Sequence, residues 1–288
     1  AVVLRAQSCD RAGRFGNWDA SMIISHRYRF IFVRTRKVAS SSLEVCLSGL
    51  LTPDDFATPQ TERDQGMKPG ESSVKPRIFH GFTRHGLPLF ISGHAPLTKA
   101  YQLFGSRIAD YRVIAAERDP WDRAVSVFYW SHRKTDMKSR PLTEQIAAFR
   151  EFVQRTGAPR SLLQRMGLGS HRFVSQRALY SIGGVSMVDS LLRFECLDQD
   201  LATLSVDLGL DKPLSVKGIS AKVGFRAKGQ EDLRVFHDDA TRAFVAAECK
   251  WEIDHYGYDF TTRGLPHYSP DPARHAAKAD YISRFGRR

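Results

Sequence analysis

Strand-like apolar runs alternate with helical periodicity along most of this chain, and that alternation constrains the fold more than any other feature. β-forming runs lie at 22–33, 87–92, 111–117 and 185–194. Between and after them, apolar residues recur at helical spacing over 41–51, 96–104, 120–133, 142–155, 198–208 and 239–255. Strands that alternate with helices cannot pair as simple hairpins, so the pattern predicts an α/β domain with a central parallel sheet flanked by helices. We place that domain at 22–262, after an N-terminal extension at 1–21 and before a basic C-terminal tail at 263–288 that reads as a wrap or a disordered arm. Residues 52–80 are polar and rich in Pro, Gly, Asp and Glu, too long a connection to be idle inside a compact domain.

Charge narrows the ligand class. Lys and Arg number 43 against 31 Asp and Glu, a formal charge of +12, which points to an anionic ligand, a nucleic acid or an acidic polymer. No recognised nucleic-acid module or aromatic–basic interleaving accompanies that charge. Cys9, Cys46, Cys196 and Cys249 are scattered without a Cys-x-x-Cys pair or metal-ligand spacing, the usage of a reduced protein. No apolar run approaches the ~20 residues of a membrane span. Only Val2-Val3-Leu4 precedes charged residues, so no signal peptide is expected and the protein is read as cytoplasmic.

The stretch Phe30-Ile31-Phe32-Val33 runs into Arg34, Arg36 and Lys37, then Ser40, Ser41 and Ser42, then the first leucine of a helical pattern. Strand, short loop and helix form the geometry in which helix N-terminal amides converge on an anion. The loop is no Walker A motif, because its lysine comes first and it holds no glycine. A plain structural role also fits: Ser41 to Glu44 has the form of a capping box, with Ser41 as N-cap. The two roles are compatible.

Residues 112–130 repeat the geometry. A strand ends at Glu117-Arg118, Asp119 is placed to cap, and Pro120 suits the first helical position. A strand, a cap and an amphipathic helix account for Asp119 and Pro120. They leave Arg118, Arg123 and Ser126 at their spacing without a reason.

Together the two segments resemble the sulfotransferases that use 3′-phosphoadenosine-5′-phosphosulfate (PAPS). Lys37-Val38-Ala39-Ser40-Ser41-Ser42-Leu43 is similar to that superfamily's 5′-phosphosulfate loop, and Arg118-Asp119-Pro120-Trp121-Asp122-Arg123-Ala124-Val125-Ser126 to its 3′-phosphate segment. The likeness is greatest to the carbohydrate (glycan) branch and its bacterial members, with further matches at Leu192 to Glu195 and Tyr256 to Phe260. Two departures stand out: Ala39 replaces the usual glycine and Ser41 the usual threonine.

The resemblance implies a P-loop-kinase-like, three-layer fold and in-line sulfuryl transfer from PAPS to a hydroxyl, without a metal ion. It assigns charge stabilisation to Lys37, and the 5′-phosphate cradle to the loop from Arg36 through Val38 and Ala39 to Ser40, Ser41 and Ser42. Arg118 and Ser126 take the 3′-phosphate. His94 is the first candidate for the base, His80 the second and Glu117 the third, although Glu117 is rather expected to orient Arg118. Lys222 and Arg226 belong to a basic loop that could close over the cofactor. The expected acceptor is a glycan, before a small alcohol, phenol or lipid hydroxyl. The rival readings are a P-loop-type kinase and a non-catalytic nucleotide or nucleic-acid binding protein.

Overall fold

The computed structural model describes residues 22–58, 79–82, 84–86, 88–91, 95–157, 173–219, 233–262 and 267–286. The expected base His94, the cover residues Lys222 and Arg226, and the extension 1–21 lie outside them. So do residues 59–78 of the polar connection and the side chain of His80.

Strands β1 (Met22–Ser25), β2 (Phe30–Val33) and β3 (Phe56–Ala57) open the domain, with helix α1 (Ser40–Ser48) between the last two. A two-stranded ribbon of β4 (Phe79–Phe82) and β5 (Pro88–Ile91) precedes α2 (Leu97–Phe104). Then come β6 (Arg112–Glu117), α3 (Pro120–Ser131), α4 (Leu142–Gly157) and α5 (Arg177–Tyr180). The short strands β7 (Ser181–Ile182) and β8 (Val185–Ser186) lead to β9 (Ser190–Arg193) and α6 (Leu197–Asp207). Helices α7 (Asp239–Glu248), α8 (Lys250–Tyr256) and α9 (Arg274–Phe285) complete the described chain.

The central sheet has the order β3-β1-β2-β6-β9. It is mixed. β2, β6 and β9 are parallel, whereas β1 runs antiparallel to both β2 and β3. The run 22–33 is therefore two strands and not one, because the polar segment Ser25-His26-Arg27-Tyr28-Arg29 turns the chain back at Arg29, whose φ is 53°. The Asp55 carboxylate holds that turn, accepting from the Ser25 hydroxyl, the His26 amide and the Thr52 amide. The run 185–194 also divides. Gly183 and Gly184, at φ 58° and 88°, make the tight β7–β8 hairpin, and β9 follows as a separate strand.

Alternation along the strands separates two cores. Ile31, Val33, Val113, Ala115 and Leu191 face α2, α3 and α4 through Tyr101, Val125, Phe128 and Phe149. Phe30, Phe32, Ile114, Ala116 and Leu192 face α1 and α6 through Leu43, Leu47, Leu201 and Leu204. Burial on both faces explains why β2 and β6 read as almost unbroken apolar runs. The arrangement has a consequence for ligands. The neighbouring parallel strands β2 and β6 send their following helices, α1 and α3, to opposite faces of the sheet. Their carboxyl ends thus flank a topological switch point, the place where open α/β sheets bind ligands.

Two helical expectations change. The run 239–255 is α7 and α8, divided at Cys249, and part of the basic tail is a docked helix. Arg274 Nε lies 2.7 Å from Asp189 Oδ1, Gln102 Nε2 donates to Tyr281 Oη at 2.8 Å, and the Tyr268 hydroxyl donates to Val188 O.

Candidate active site at the β2–β6 switch point

The loop from Arg34 to Ala39 is sewn into the carboxyl edge of the sheet. Thr35 Oγ1 donates to Ala116 O on β6, and the Ser40 hydroxyl donates back to Thr35 O. Val38 is fully buried in the core beneath α1, so its backbone alone faces the crevice. On either side of that anchor the backbone is left-handed, with φ of 63° at Lys37 and 61° at Ala39. Such a conformation is unfavourable for residues bearing a Cβ.

Ala39 is the N-cap of α1, and no side chain caps that helix. The capping box expected at Ser41 and Glu44 does not form, because both residues have another partner. Arg34, buried, places Nη2 2.9 Å from Ser41 Oγ and Nη1 3.3 Å from Glu44 Oε2. A buried pair of this kind fixes the first turn of α1 against the sheet. The leading amides of the helix keep their direction toward the crevice without a side chain folded over them.

The serines differ in what they can offer. Ser40 gives its proton to Thr35 O, and Ser42 Oγ lies 3.3 Å from Ile219 O. Ser41 accepts from Arg34, which leaves its own hydroxyl proton directed elsewhere. Arg36 is exposed, and its amide donates to the Gln176 side chain. The Lys37 ammonium sits 4.5 Å from the ring centroid of Trp130, and Arg133 lies over the same ring at 4.3 Å. Two cations therefore share one indole, an arrangement its electron-rich face favours.

The second segment meets the first here. Asp119 caps α3, accepting from Trp121 N at 2.8 Å and Asp122 N at 3.0 Å, with Pro120 next in line. Arg118 Nη1 points at Lys37 O, 3.4 Å away, so the two segments touch. The rest of its guanidinium pairs with Asp122 and lies 3.8 Å from the Phe194 ring centroid. Ser126 is two turns into α3 and buried. Glu117 reaches the Arg118 backbone amide and not its guanidinium. Its oxygens accept from Tyr180 Oη at 2.7 Å and Gln176 Nε2 at 3.4 Å, and Asp122 orients the arginine instead. Burial pushes the Glu117 carboxyl up to about 7, against the pull of the Arg123 guanidinium. Arg123 itself faces inward, donating to Val174 O at 3.1 Å and Cys249 Sγ at 3.2 Å. It is a core cation and not a ligand group.

The two segments thus meet where Arg118 reaches Lys37 O, while Val38 and the Ser40 hydroxyl serve the scaffold. Sequence reasoning missed Asp122 and Trp130, both within the quoted segment, since neither has a role until the two loops are brought together. It also missed Gln176, which sits in no periodic pattern and is identified only by its two partners. Among the described residues no helix is long and apolar enough to cross a membrane.

A family model described as the sulfotransferase family matches residues 20–259. Neither a curated protein nor a solved structure matches the chain.

Proposed function

Because the chain belongs to the sulfotransferase family, we propose that it moves the sulfuryl group of PAPS to the hydroxyl of a glycan at the β2–β6 switch point. One observation carries the reading: two strand–loop–helix units with cationic loops place Arg118 Nη1 3.4 Å from Lys37 O, at the carboxyl edge of adjacent parallel strands. The residues fit a donor that carries two separate anionic groups. An uncapped helix N-terminus and the Ser41 hydroxyl can donate to one anionic group, and the Lys37 and Arg118 cations can offset part of the charge on two separated groups.

PAPS, when bound, supplies an activated sulfuryl group on a phosphate leaving group. The leading amides of α1 and the Ser41 hydroxyl would hold the 5′ end. Lys37, held over Trp130, would offset the negative charge that develops during transfer, the role that preorganised charge plays in phosphoryl transfer. Arg118, steadied by Asp122 and Phe194, would hold the 3′-phosphate, with Ser126 as its expected partner. By the resemblance alone, His94 would take the acceptor proton and Lys222 and Arg226 would bind the donor. The glycan acceptor rests on the branch the sequence resembles and on the net charge of +12.

Recognition of the 3′-phosphate is the discriminating test. Adenosine 3′,5′-bisphosphate at about a hundred times its dissociation constant should stabilise the fold by ~2.7 kcal/mol, and ADP by far less. Arg118→Ala should erase that preference. Equal stabilisation by the two nucleotides, or a strict magnesium requirement for transfer, would return the chain to the kinase reading.

A further inference from the structure

Behind the phosphate loop lies a polar network that the transfer itself does not use. Gln176 is 2% exposed and precedes α5. Its side chain spans the gap between the two motifs: Oε1 accepts from the Arg36 amide in the loop, and Nε2 points to Glu117 Oε2 at the end of β6. The segment that carries it is itself fixed. Val174 O accepts from Arg123, Ser175 N donates to Glu248 Oε1 at 3.0 Å, and Gln176 N donates to Glu252 Oε1 at 2.7 Å. A rigid support is therefore joined to a loop whose backbone is left-handed at Lys37 and Ala39. Such conformations persist only where surrounding structure over-determines them.

We propose that Gln176 is a positioning residue for the donor-phosphate loop, and that the ionised Glu117 carboxylate sets the orientation of the Gln176 amide. The proposal rests on the donor reading above.

The hydrogen-bond chemistry dictates the orientation. The Arg36 amide can only donate, so it must face the Gln176 oxygen. That turns the Gln176 NH2 toward Glu117, which can receive it as a carboxylate. Tyr180 Oη already donates to Glu117 Oε1, so a proton taken up by Glu117 resides on Oε2, opposite the Gln176 NH2. Two donors then oppose each other. Relief requires Gln176 to turn, and the Arg36 amide loses its acceptor.

The groups around Glu117 set where this happens. Tyr180 bonds it from α5 and Arg123 faces it from α3, while Glu252 and Tyr256 approach from α8 and Tyr258 lies just beyond. Burial raises the Glu117 carboxyl to about 7 and Glu252 adds to the rise, while Arg123, the Tyr180 bond and the Arg118 backbone hold it back. The switch therefore falls in the neutral range.

The test uses the full chain, with adenosine 3′,5′-bisphosphate as probe. Gln176→Leu should raise the donor KM and the bisphosphate Kd about tenfold, while kcat at saturating donor and the acceptor KM stay within about twofold. A variant that disturbed the fold generally would shift all four. The isosteric Glu117→Gln cannot titrate and, with Tyr180 donating to its amide oxygen, turns its own NH2 toward Gln176, so it holds the network in the state of the protonated acid. Bisphosphate affinity of the wild type should weaken as pH falls through the neutral range, and this variant should lose that limb. It should keep the weaker dependence from the phosphates' own titration at about 6. Binding to the wild type that neither variant alters would overturn the positioning role alone. A wild type that does not bind the bisphosphate at all would overturn the donor reading and this role with it.

Discussion

At the scale of single residues, Ala39 is where this chain pays for its geometry. The superfamily pattern it resembles has glycine at this position, and the backbone shows why: Ala39 is left-handed, with φ 61° and ψ 18°. An L-residue there costs roughly 1–2 kcal/mol, and glycine removes that cost while losing part of the gain to greater freedom of the unfolded chain. Ala39→Gly should therefore stabilise the protein by a net ~0.5–1 kcal/mol, read as a higher melting temperature. It should also lower the donor KM, because a Cβ at the N-cap stands beside the amides that would receive a phosphate. A lower melting temperature in the glycine variant would show that the loop is not strained at this residue. Lys37, at φ 63°, carries the same strain, but there the side chain supplies charge that glycine would remove.

At the scale of elements, the C-terminal helix is tied to the sheet through one carboxylate. Asp189 Oδ2 accepts from Val113 N at 2.8 Å at the start of β6, and Oδ1 pairs with Arg274 Nε at 2.7 Å at the start of α9. Near it, burial lowers the affinity of Lys278 for its proton, and the Asp189 charge counters this. Asp189→Asn keeps one acceptor but removes the countercharge from Arg274 and Lys278. Losing a partly buried pair this way costs on the order of 1–3 kcal/mol, or several degrees in melting temperature for a chain of this size. Hydrogen exchange should show α9 losing protection before β2 and β6. Equal loss throughout would mean that α9 is an integral part of the cooperative core.

The same elements show what sequence could and could not reveal. The doubly buried strands β2 and β6 and the cap at Asp119 and Pro120 are local signals, and they were legible. The β1–β2 reversal was not, since the turn at Ser25 and His26 is held by the distant Asp55 carboxylate. Nor was the real use of Ser41 and Glu44. A capping box is the local optimum, but the buried Arg34 charge requires the same two side chains, and an unpaired guanidinium in the core costs more than an uncapped helix. Gln176 lies at the limit of this kind of reading, because a bridging amide has meaning only once both of its partners are placed.

At the scale of the whole molecule, the charge of +12 acts on stability and on encounter in opposite directions. Described ion pairs on the surface, such as Arg140 with Asp136, Arg155 with Glu151 and Lys250 with Asp254, follow helical spacing and contribute little each. The excess cations repel one another, so added salt should stabilise the ligand-free fold by screening that repulsion. Screening shortens the reach of the same field toward an acidic acceptor, since the Debye length is about 10 Å at 0.1 M and about 3 Å at 1 M. For an anionic glycan, kcat/KM should fall steeply with ionic strength while the melting temperature of the free protein rises over the same range. Pairs buried with the site, Arg34–Glu44 and Arg118–Asp122, are screened far less, so kcat at saturating donor and acceptor should hardly change. The divergence matters because general salt inactivation would lower stability and both kinetic constants together. If kcat/KM toward the true acceptor is unaffected by salt, the basic surface does not guide it, and a small neutral hydroxyl compound replaces the glycan as the substrate class.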